Sequence, residues 1–197
     1  RPLLVFSSGS LLYGNAENAF SKDSPIKPIS YARQYYRGEI PLIRASENNE
    51  YPVLLFRLPW LLGPGSWFKW FYMQPAPKHN AIPLFGDGSN RMEIIDMRDA
   101  ASLMLLFASK GFKGVCNICP EQAITQADFA ALVSGIYDVK VLDYAEVFTG
   151  RLERESVEAF KSNILLEREH ADEIKDFNYK PLKESIKEIR EGRWDLH

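Results

Sequence analysis

Three serines near the start of the chain form a hydroxyl-rich turn that could hold a ligand. Ser7, Ser8 and Ser10 directly follow the apolar run Leu3 to Phe6. A short continuous apolar run is typical of a parallel strand that is buried on both faces. Ligands of open parallel sheets lie beyond the carboxyl ends of the strands, so this turn is a candidate catalytic segment. Serine and glycine are also ordinary turn formers, and the turn alone leaves both interpretations open.

Tyr31 is the second candidate, because a phenol at the start of a helix could exchange a proton with a ligand at the serine turn. Ser30 is a suitable N-cap for a helix that starts at Tyr31, and Pro41 should distort or divide this helix. Tyrosine acts as a general acid or base only if its pKa is brought down from about 10. The structural alternative is that Tyr31, Tyr35 and Tyr36 form an aromatic helix face packed on the sheet.

The rest of the pattern predicts alternating strands and helices, which is typical of an α/β fold. Tyr51 to Leu62 predicts a second buried strand, which ends in the turn Gly63 to Gly65. The aromatic run Ser66 to Met73 should pack between two lobes or line a pocket, and Pro75 should end it. Further predicted elements are strands at Ile82–Phe85, Val115–Ile118 and Val139–Tyr144, and helices at Ala100–Ser109 (opened by Asp99), Gln126–Ile136 (capped by Thr125) and Glu146–Lys161.

Four segments in a fixed order carry a family resemblance. They are FSSGSLLYG (Phe6–Gly14) with the helix that opens at Ser30-Tyr31, RLPWLLGPG (Arg57–Gly65), IPLFGDGSNRMEIIDMRDAA (Ile82–Ala101) and GVCNICPEQAITQADFAAL (Gly114–Leu132). The set resembles the extended short-chain dehydrogenase/reductase family, the NAD-dependent epimerases and dehydratases of nucleotide sugars. The resemblance implies the C-terminal part of a Rossmann-type parallel sheet with a small mixed α/β substrate lobe. Residues 1–65 would be a partial Rossmann dinucleotide-binding domain, and residues 66–197 mainly the substrate-binding lobe with returning Rossmann elements.

The same resemblance implies roles for single residues. Tyr31 would move the proton, and Ser8 or Ser10 could supply a hydroxyl, because the family's Ser or Thr position falls on Gly9. Tyr35 stands where the family has a lysine whose charge favours the phenolate. The implied cofactor contacts are Ser7, Tyr31, Tyr35 and Pro59, and the implied substrate contacts are Trp60, Arg91 and Met92.

The substrate contacts depart from the family pattern. Trp60 stands at the position of an asparagine that touches substrate. The arginine that pairs with the substrate diphosphate corresponds to Met92, and Arg91 is displaced by one residue. A one-residue shift on a strand reverses the face, although a bulge could restore the reach of Arg91.

The cofactor implied by the resemblance is NAD or NADP. Family members receive its pyrophosphate on a Gly-rich turn in an opening βαβ unit. This sequence contains neither G-x-G-x-x-G nor G-x-x-G-x-x-G, and its first strand begins almost at Arg1. We therefore expect a truncated chain whose missing part carries the Gly-rich turn. Without that part, the chain should bind NAD(P) poorly or not at all.

Two functions follow as hypotheses. The first is an NAD(P)-dependent epimerase, dehydratase or reductase with a small-molecule, nucleotide-sugar-like substrate and a degenerate Ser-Tyr-Lys site. The second is a non-catalytic relative that keeps the fold for binding or assembly. Gly9, Tyr35, Trp60 and Met92 favour the second hypothesis or an altered substrate. Family members often pair through the helix that carries Tyr31, so a homodimer is also compatible with the sequence.

The composition of the chain limits the classes of partner that we expect. The net charge of −2 offers no basic surface for nucleic acid, and no apolar run is long enough to cross a bilayer. Cys116 and Cys119 have C-x-x-C spacing, which suits a redox pair or half of a zinc site. A second pair of zinc ligands is missing, so we expect no metal and two small buried residues at a strand end. A reducing cytoplasm is the expected location.

Overall fold

A parallel three-stranded sheet carries the serine turn. The computed structural model describes residues 1–29, 32–149 and 151–194. The sheet has the order β1-β2-β7, and both neighbouring pairs are parallel, as an α/β fold requires. The strands are β1 (Leu4–Gly9), β2 (Val53–Leu58), β3 (Trp60–Leu62), β4 (Ala81–Leu84), β5 (Arg91–Met92), β6 (Ile94–Asp96), β7 (Gly114–Asn117), β8 (Ile124–Thr125) and β9 (Lys140–Asp143).

The remaining strands form three small pairs. Strands β3 and β6 are parallel, β4 and β9 are parallel, and β5 and β8 are antiparallel. The helices are α1 (Arg33–Glu47), α2 (Pro75–His79), α3 (Met97–Ser109), α4 (Gln126–Tyr137), α5 (Tyr144–Phe148), α6 (Arg154–Lys161) and α7 (Leu182–Arg190). None of the helices in the described part of the chain is long and apolar enough to span a bilayer.

Strand β1 is less buried than its composition predicts. Leu4 and Val5 are 42% and 43% exposed, whereas every residue of β2 is buried. The reason is position: β2 lies between two strands, and β1 is the edge of the described sheet. The prediction of a strand covered on both faces is therefore wrong for β1 and right for β2.

Prolines act differently from the sequence-based expectations at three places. Pro59 separates β2 from β3, so the predicted single strand Tyr51 to Leu62 is two strands in different sheets. Pro41 lies inside the continuous helix α1 without dividing it. Pro75 begins α2, directly after a π-helical turn over Lys69–Met73, instead of ending the aromatic segment.

The Thr125 Oγ1 caps α4 as predicted and accepts a hydrogen bond from the Asp128 N–H at 3.0 Å. Helix α3 begins earlier than predicted, at Met97, and its N-cap is Asp96, whose side chain accepts from the Arg98 N–H at 2.8 Å. Asp99 lies in the first turn of α3, as predicted for a carboxylate near the helix N-terminus. It also accepts a hydrogen bond from the Lys180 backbone N–H at 2.8 Å and so anchors the chain before α7.

Two hydrophobic clusters form much of the buried core. One surrounds β2 and α3 and includes Phe56 and Phe107. The other is aromatic and joins the π-helical turn to α4 and α6 through Phe68, Tyr72 and Phe160. Cys116 and Cys119 are buried free thiols, as predicted for small residues at a strand end. Burial raises the pKa of the Cys116 thiol to about 11 and that of Cys119 to about 12.

A buried ion pair ties α1 to the middle strand of the sheet. The Arg57 Nη2 on β2 lies 2.9 Å from the Glu39 Oε2 on α1, and the two side chains are 4% and 0% exposed. The Arg57 Nη1 donates to the Tyr13 hydroxyl at 2.8 Å, and that hydroxyl donates to the Asn117 Oδ1 at 2.7 Å. Ser8, Arg57 and Asn117 are adjacent in register across the three strands. The network therefore fixes the sheet, α1 and the segment after the serine turn to one another.

Glu93, between β5 and β6, is a second buried charge. Its Oε2 accepts a hydrogen bond from the Leu166 backbone N–H at 3.1 Å. Burial raises the pKa of Glu93 to about 7, although the Leu166 N–H and the Arg91 and Arg168 charges favour the carboxylate. The side chain is therefore expected to change its charge near neutral pH.

The first prediction concerns the Arg57–Glu39 pair. Arg57→Met should lower the free energy of unfolding by about 3–5 kcal/mol, because it leaves the Glu39 carboxylate buried without its cation. The double variant R57M/E39L should recover most of this loss, because neither charge is then buried. Urea unfolding at pH 7 measures both effects. A loss below about 1 kcal/mol in the single variant would contradict the assignment.

The second prediction is a pH dependence set by Glu93. Its folded pKa of about 7 lies above the ordinary value of 4.5, so its contribution to stability is full below pH 4.5 and is lost as pH rises through 7. Glu93→Gln should remove this loss, which amounts to about 3 kcal/mol at most. The variant should thus gain stability relative to the native protein between pH 5 and pH 8. Equal pH profiles of the two proteins in urea unfolding would show that Glu93 is not perturbed.

Candidate functional site

A cleft of about 380 Å³ opens at the carboxyl ends of β1 and β2, and we call it the serine cleft. Its position is where open parallel sheets bind ligands. Its volume falls within the usual range of small-molecule sites. The residues that line it are Ser7, Ser8, Gly9, Ser10, Leu11, Tyr35, Leu58, Pro59, Trp60, Leu61 and Trp67.

Three serines supply the polar part of the cleft, and the prediction that all three lie in a turn is wrong for Ser7 and Ser8, which belong to β1. We keep the name serine turn for Ser7 to Ser10. Ser10 is buried and begins a 3-10 turn, where its carbonyl oxygen accepts a hydrogen bond from the Tyr13 N–H at 3.0 Å. The Ser8 Oγ is buried and has no hydrogen-bond partner among the described residues. A buried hydroxyl without a partner costs about 1–3 kcal/mol, so its place on the cleft wall suits a bond to a ligand.

Helix α1 approaches the turn through Tyr35. Its ring atoms lie 3.6 Å from the point that a Cβ on Gly9 would occupy, which is ordinary van der Waals contact. Tyr35 therefore lies directly beside the Gly9 backbone. The residues before α1 are held beside the turn as well: the Ile29 N–H donates to the Leu11 carbonyl at 3.3 Å, and Ala32 packs with Leu11 and Leu12.

Two tryptophans form the opposite wall. Trp60 begins β3, and its backbone N–H donates to the Glu93 carbonyl at 2.9 Å. Its ring meets the Trp67 ring edge-on at 5.1 Å between centroids and stacks on Phe160 at 4.9 Å. The Trp67 Nε1 is buried, and the described part of the chain offers it no acceptor. Indole N–H groups usually have a partner when they are buried, so this donor is a second candidate ligand contact.

The structure brings together some of the sequence-predicted site residues and separates others. Ser7, Ser8, Ser10, Tyr35, Pro59 and Trp60 line the one cleft. Arg91 and Met92 do not line it: Arg91 is exposed on β5, and Met92 is 1% exposed within the aromatic core. Met92 is thus placed as a packing residue, with no surface for a substrate. Tyr31 lies outside the described residues, so its role remains a prediction.

Sequence reasoning missed Trp67 and Glu93. The sequence shows Trp67 only as part of an aromatic run, and the burial of its Nε1 without an acceptor among the described residues is visible only in three dimensions. Glu93 could have been noticed as an acidic residue within the apolar stretch Met92 to Ile95. It does not line the serine cleft, although its carbonyl positions Trp60. Within the described ranges, no group of three or more acidic, histidine or cysteine residues could hold a metal ion.

Several solved structures share this fold. One is the UDP-N-acetylglucosamine 4-epimerase from Methanobrevibacter ruminantium M1 in complex with UDP-N-acetylmuramic acid. It is 20% identical to this chain with a TM-score of 0.74, and the match covers 96% of this chain and 62% of the epimerase chain. The dTDP-glucose 4,6-dehydratase DesIV from Streptomyces venezuelae, with NAD and TYD bound, is 17% identical with a TM-score of 0.73 and coverages of 97% and 61%. RMD from Pseudomonas aeruginosa, complexed with NADPH, is also 17% identical with a TM-score of 0.73 and coverages of 96% and 65%.

The comparisons agree on the fold and give the family. At these identities the structural likeness shows the fold alone, and the chain spans about three-fifths of the length of the first two structures. No curated protein matches the sequence. The NAD dependent epimerase/dehydratase family matches residues 1–119, which is more than half of the 197 residues, and the chain belongs to this family.

Proposed function

We propose that the protein is an NAD- or NADP-dependent epimerase, dehydratase or reductase of a sugar-type substrate, with a degenerate Ser-Tyr-Lys site. The observation that carries the proposal is the unpartnered Ser8 hydroxyl on the wall of the serine cleft. It lies at the carboxyl end of a parallel strand, beside the residues that lead into α1. Family membership and the epimerase and dehydratase neighbours support the same class of reaction.

The residues of the serine cleft fit the nicotinamide end of such a cofactor. Ser7, Ser8, Tyr35 and Pro59 would hold it, because they combine hydroxyl groups with flat apolar surface. The sequence contains no Gly-rich pyrophosphate turn, so we propose that these residues hold only the nicotinamide end of the cofactor. When bound, the cofactor supplies hydride transfer to and from a substrate carbon. The substrate-binding lobe is proposed within residues 66–197, with β7 returning to the sheet.

The chain's own residues would bind, orient and move a proton. Tyr31 is proposed to exchange a proton with a substrate hydroxyl, and Ser8 to orient that hydroxyl with a hydrogen bond. Tyr35 supplies no positive charge to lower the pKa of Tyr31, so proton transfer should be slower than with a lysine at this place. The two buried free thiols favour a reducing compartment such as the cytoplasm.

A non-catalytic function is the second candidate. The Gly9–Tyr35 contact favours it, because a phenol ring occupies the space beside a backbone that lacks the family's hydroxyl side chain. In that case the cleft would bind a ligand without turnover. Hydride transfer in the full-length protein separates the two candidates.

The third prediction tests Tyr31. In the full-length protein with NAD or NADP, Tyr31→Phe should lower the rate at which sugar substrates are converted to product by about 100-fold or more, because general acid–base catalysis contributes that much. Tyr36→Phe is the matched control and should keep the native rate, because Tyr36 is a nearby phenol that does not line the serine cleft. Absence of cofactor binding and of turnover in the native protein would refute the enzymatic proposal.

The fourth prediction concerns Ser8. Ser8→Ala should raise the free energy of unfolding by about 1–3 kcal/mol, since it removes a buried hydroxyl that has no partner among the described residues. The same change should weaken ligand binding by about tenfold, because one hydrogen bond to the ligand is lost. Calorimetry and urea unfolding measure the two effects, with the exposed Ser102→Ala as control. A destabilised variant with unchanged binding would contradict a ligand role for Ser8.

A further inference from the structure

A second cavity of about 290 Å³ adjoins the serine cleft, and we call it the aromatic cavity. Trp60 and Trp67 line both spaces, so the two lie on either side of this edge-on pair. Phe71 and Phe160 complete the aromatic walls, and their ring centroids are 4.7 Å apart. Aromatic rings carry partial negative charge on their faces, and four aromatic side chains surround this small volume.

The rim of the aromatic cavity is acidic. Glu153 and Glu155, at the start of α6, line the cavity and are exposed to solvent. The Glu153 side chain makes no capping hydrogen bond, and the salt bridges found among the described residues include neither glutamate. Arg154, between them in the sequence, does not line the cavity. The open ends of the aromatic walls therefore carry negative charge that a ligand could neutralise.

This combination discriminates against an anionic ligand. Lysine, arginine and histidine are absent from the described lining of both the serine cleft and the aromatic cavity. Phosphate groups are usually held by such cations, above all by the planar fork of arginine. A cation over aromatic rings gains attraction from the ring quadrupole, and more where it is desolvated. The cavity thus matches a positively charged organic group better than a diphosphate.

We propose that the aromatic cavity binds the ammonium group of an amino sugar, between the rings of Trp60 and Trp67 and the carboxylates of Glu153 and Glu155. The buried Trp67 Nε1–H, which has no acceptor in the described structure, would donate to a ring or hydroxyl oxygen of the same sugar. The proposal rests on the proposed function for the sugar character of the ligand, and it names the substrate class for the adjoining serine cleft.

Direct binding of simple sugars to the full-length protein tests the proposal without any cofactor. D-glucosamine should bind at least about tenfold more tightly than D-glucose, which lacks the charge, and than N-acetyl-D-glucosamine, in which the charge is removed by acylation. Its affinity should fall as salt is raised, because the rim carboxylates are exposed. Calorimetry measures these affinities. Equal affinities for the three sugars, or no binding of D-glucosamine, would overturn the proposal.

Matched variants locate the site. E153Q/E155Q should reduce D-glucosamine affinity by about tenfold and leave D-glucose unaffected. Glu184→Gln is the control, because Glu184 is likewise an exposed glutamate in the first turn of a helix, and it lines neither cavity. The same loss in both variants, or tighter binding of UDP than of D-glucosamine by the native protein, would overturn the proposal.

The indole N–H resonances add an independent readout. D-glucosamine should shift the Trp67 Nε1–H signal, assigned through its loss in Trp67→Phe, and leave that of the exposed Trp70 in place. A shift confined to Trp70 would place the ligand elsewhere and refute the proposal. Hydride transfer is measured separately: tight D-glucosamine binding without turnover refutes only the proposed function, whereas turnover of neutral sugars alone refutes only the ammonium site.

Discussion

The buried contact between Arg57 and Glu39 is the interaction on which the rest of the site depends. Arg57 is in the central strand, and Glu39 is on the helix that covers the sheet, so their pairing fixes the distance between the two layers. Tyr13 and Asn117 extend the same network to the end of the serine turn and to the third strand. Because a buried cation has no low-cost alternative partner, this arrangement excludes other registers of α1 on the sheet. The shape of the serine cleft therefore depends on this fixed position of α1 on the sheet.

The serine cleft combines hydroxyl groups with aromatic surface. The hydroxyl groups come from the end of β1, and the start of α1 lies beside them. Tyr35 contributes a phenol ring, and Trp60 and Trp67 contribute indole rings. The wall of the cleft thereby becomes continuous with the aromatic core behind it.

The sequence predicts local elements well where neighbours in the chain decide them. The Thr125 cap of α4 is an example. It fails where three-dimensional surroundings decide. The exposure of Leu4 depends on strand order, which composition does not encode. Pro41 is tolerated because it lies on the exposed side of α1, where water can satisfy the Arg37 carbonyl that loses its partner.

The residues of the candidate site likewise divide into those that the sequence predicts and those that only the three-dimensional structure reveals. Spacing from the motifs brought six residues to one cleft, because a strand, its turn and the next strand keep a fixed geometry. After the Gly86 to Gly88 turn, the predicted substrate contacts Arg91 and Met92 do not line the cleft. They lie on a two-residue strand paired with β8, and this pairing decides which way their side chains face. The partnerless atoms of Ser8 and Trp67 could not be predicted, since satisfaction of a polar group is a property of packing.

The two buried thiols have a practical consequence. Alkylating reagents attack the thiolate, and the raised pKa values of Cys116 and Cys119 keep almost none of it present at neutral pH. Cys116 is also shielded by the core around β2 and α3, and Cys119 by Tyr13 and Leu166. Covalent labelling of this chain should therefore proceed only through transient opening of the fold, so the native protein carries its own intrinsic probe of local unfolding.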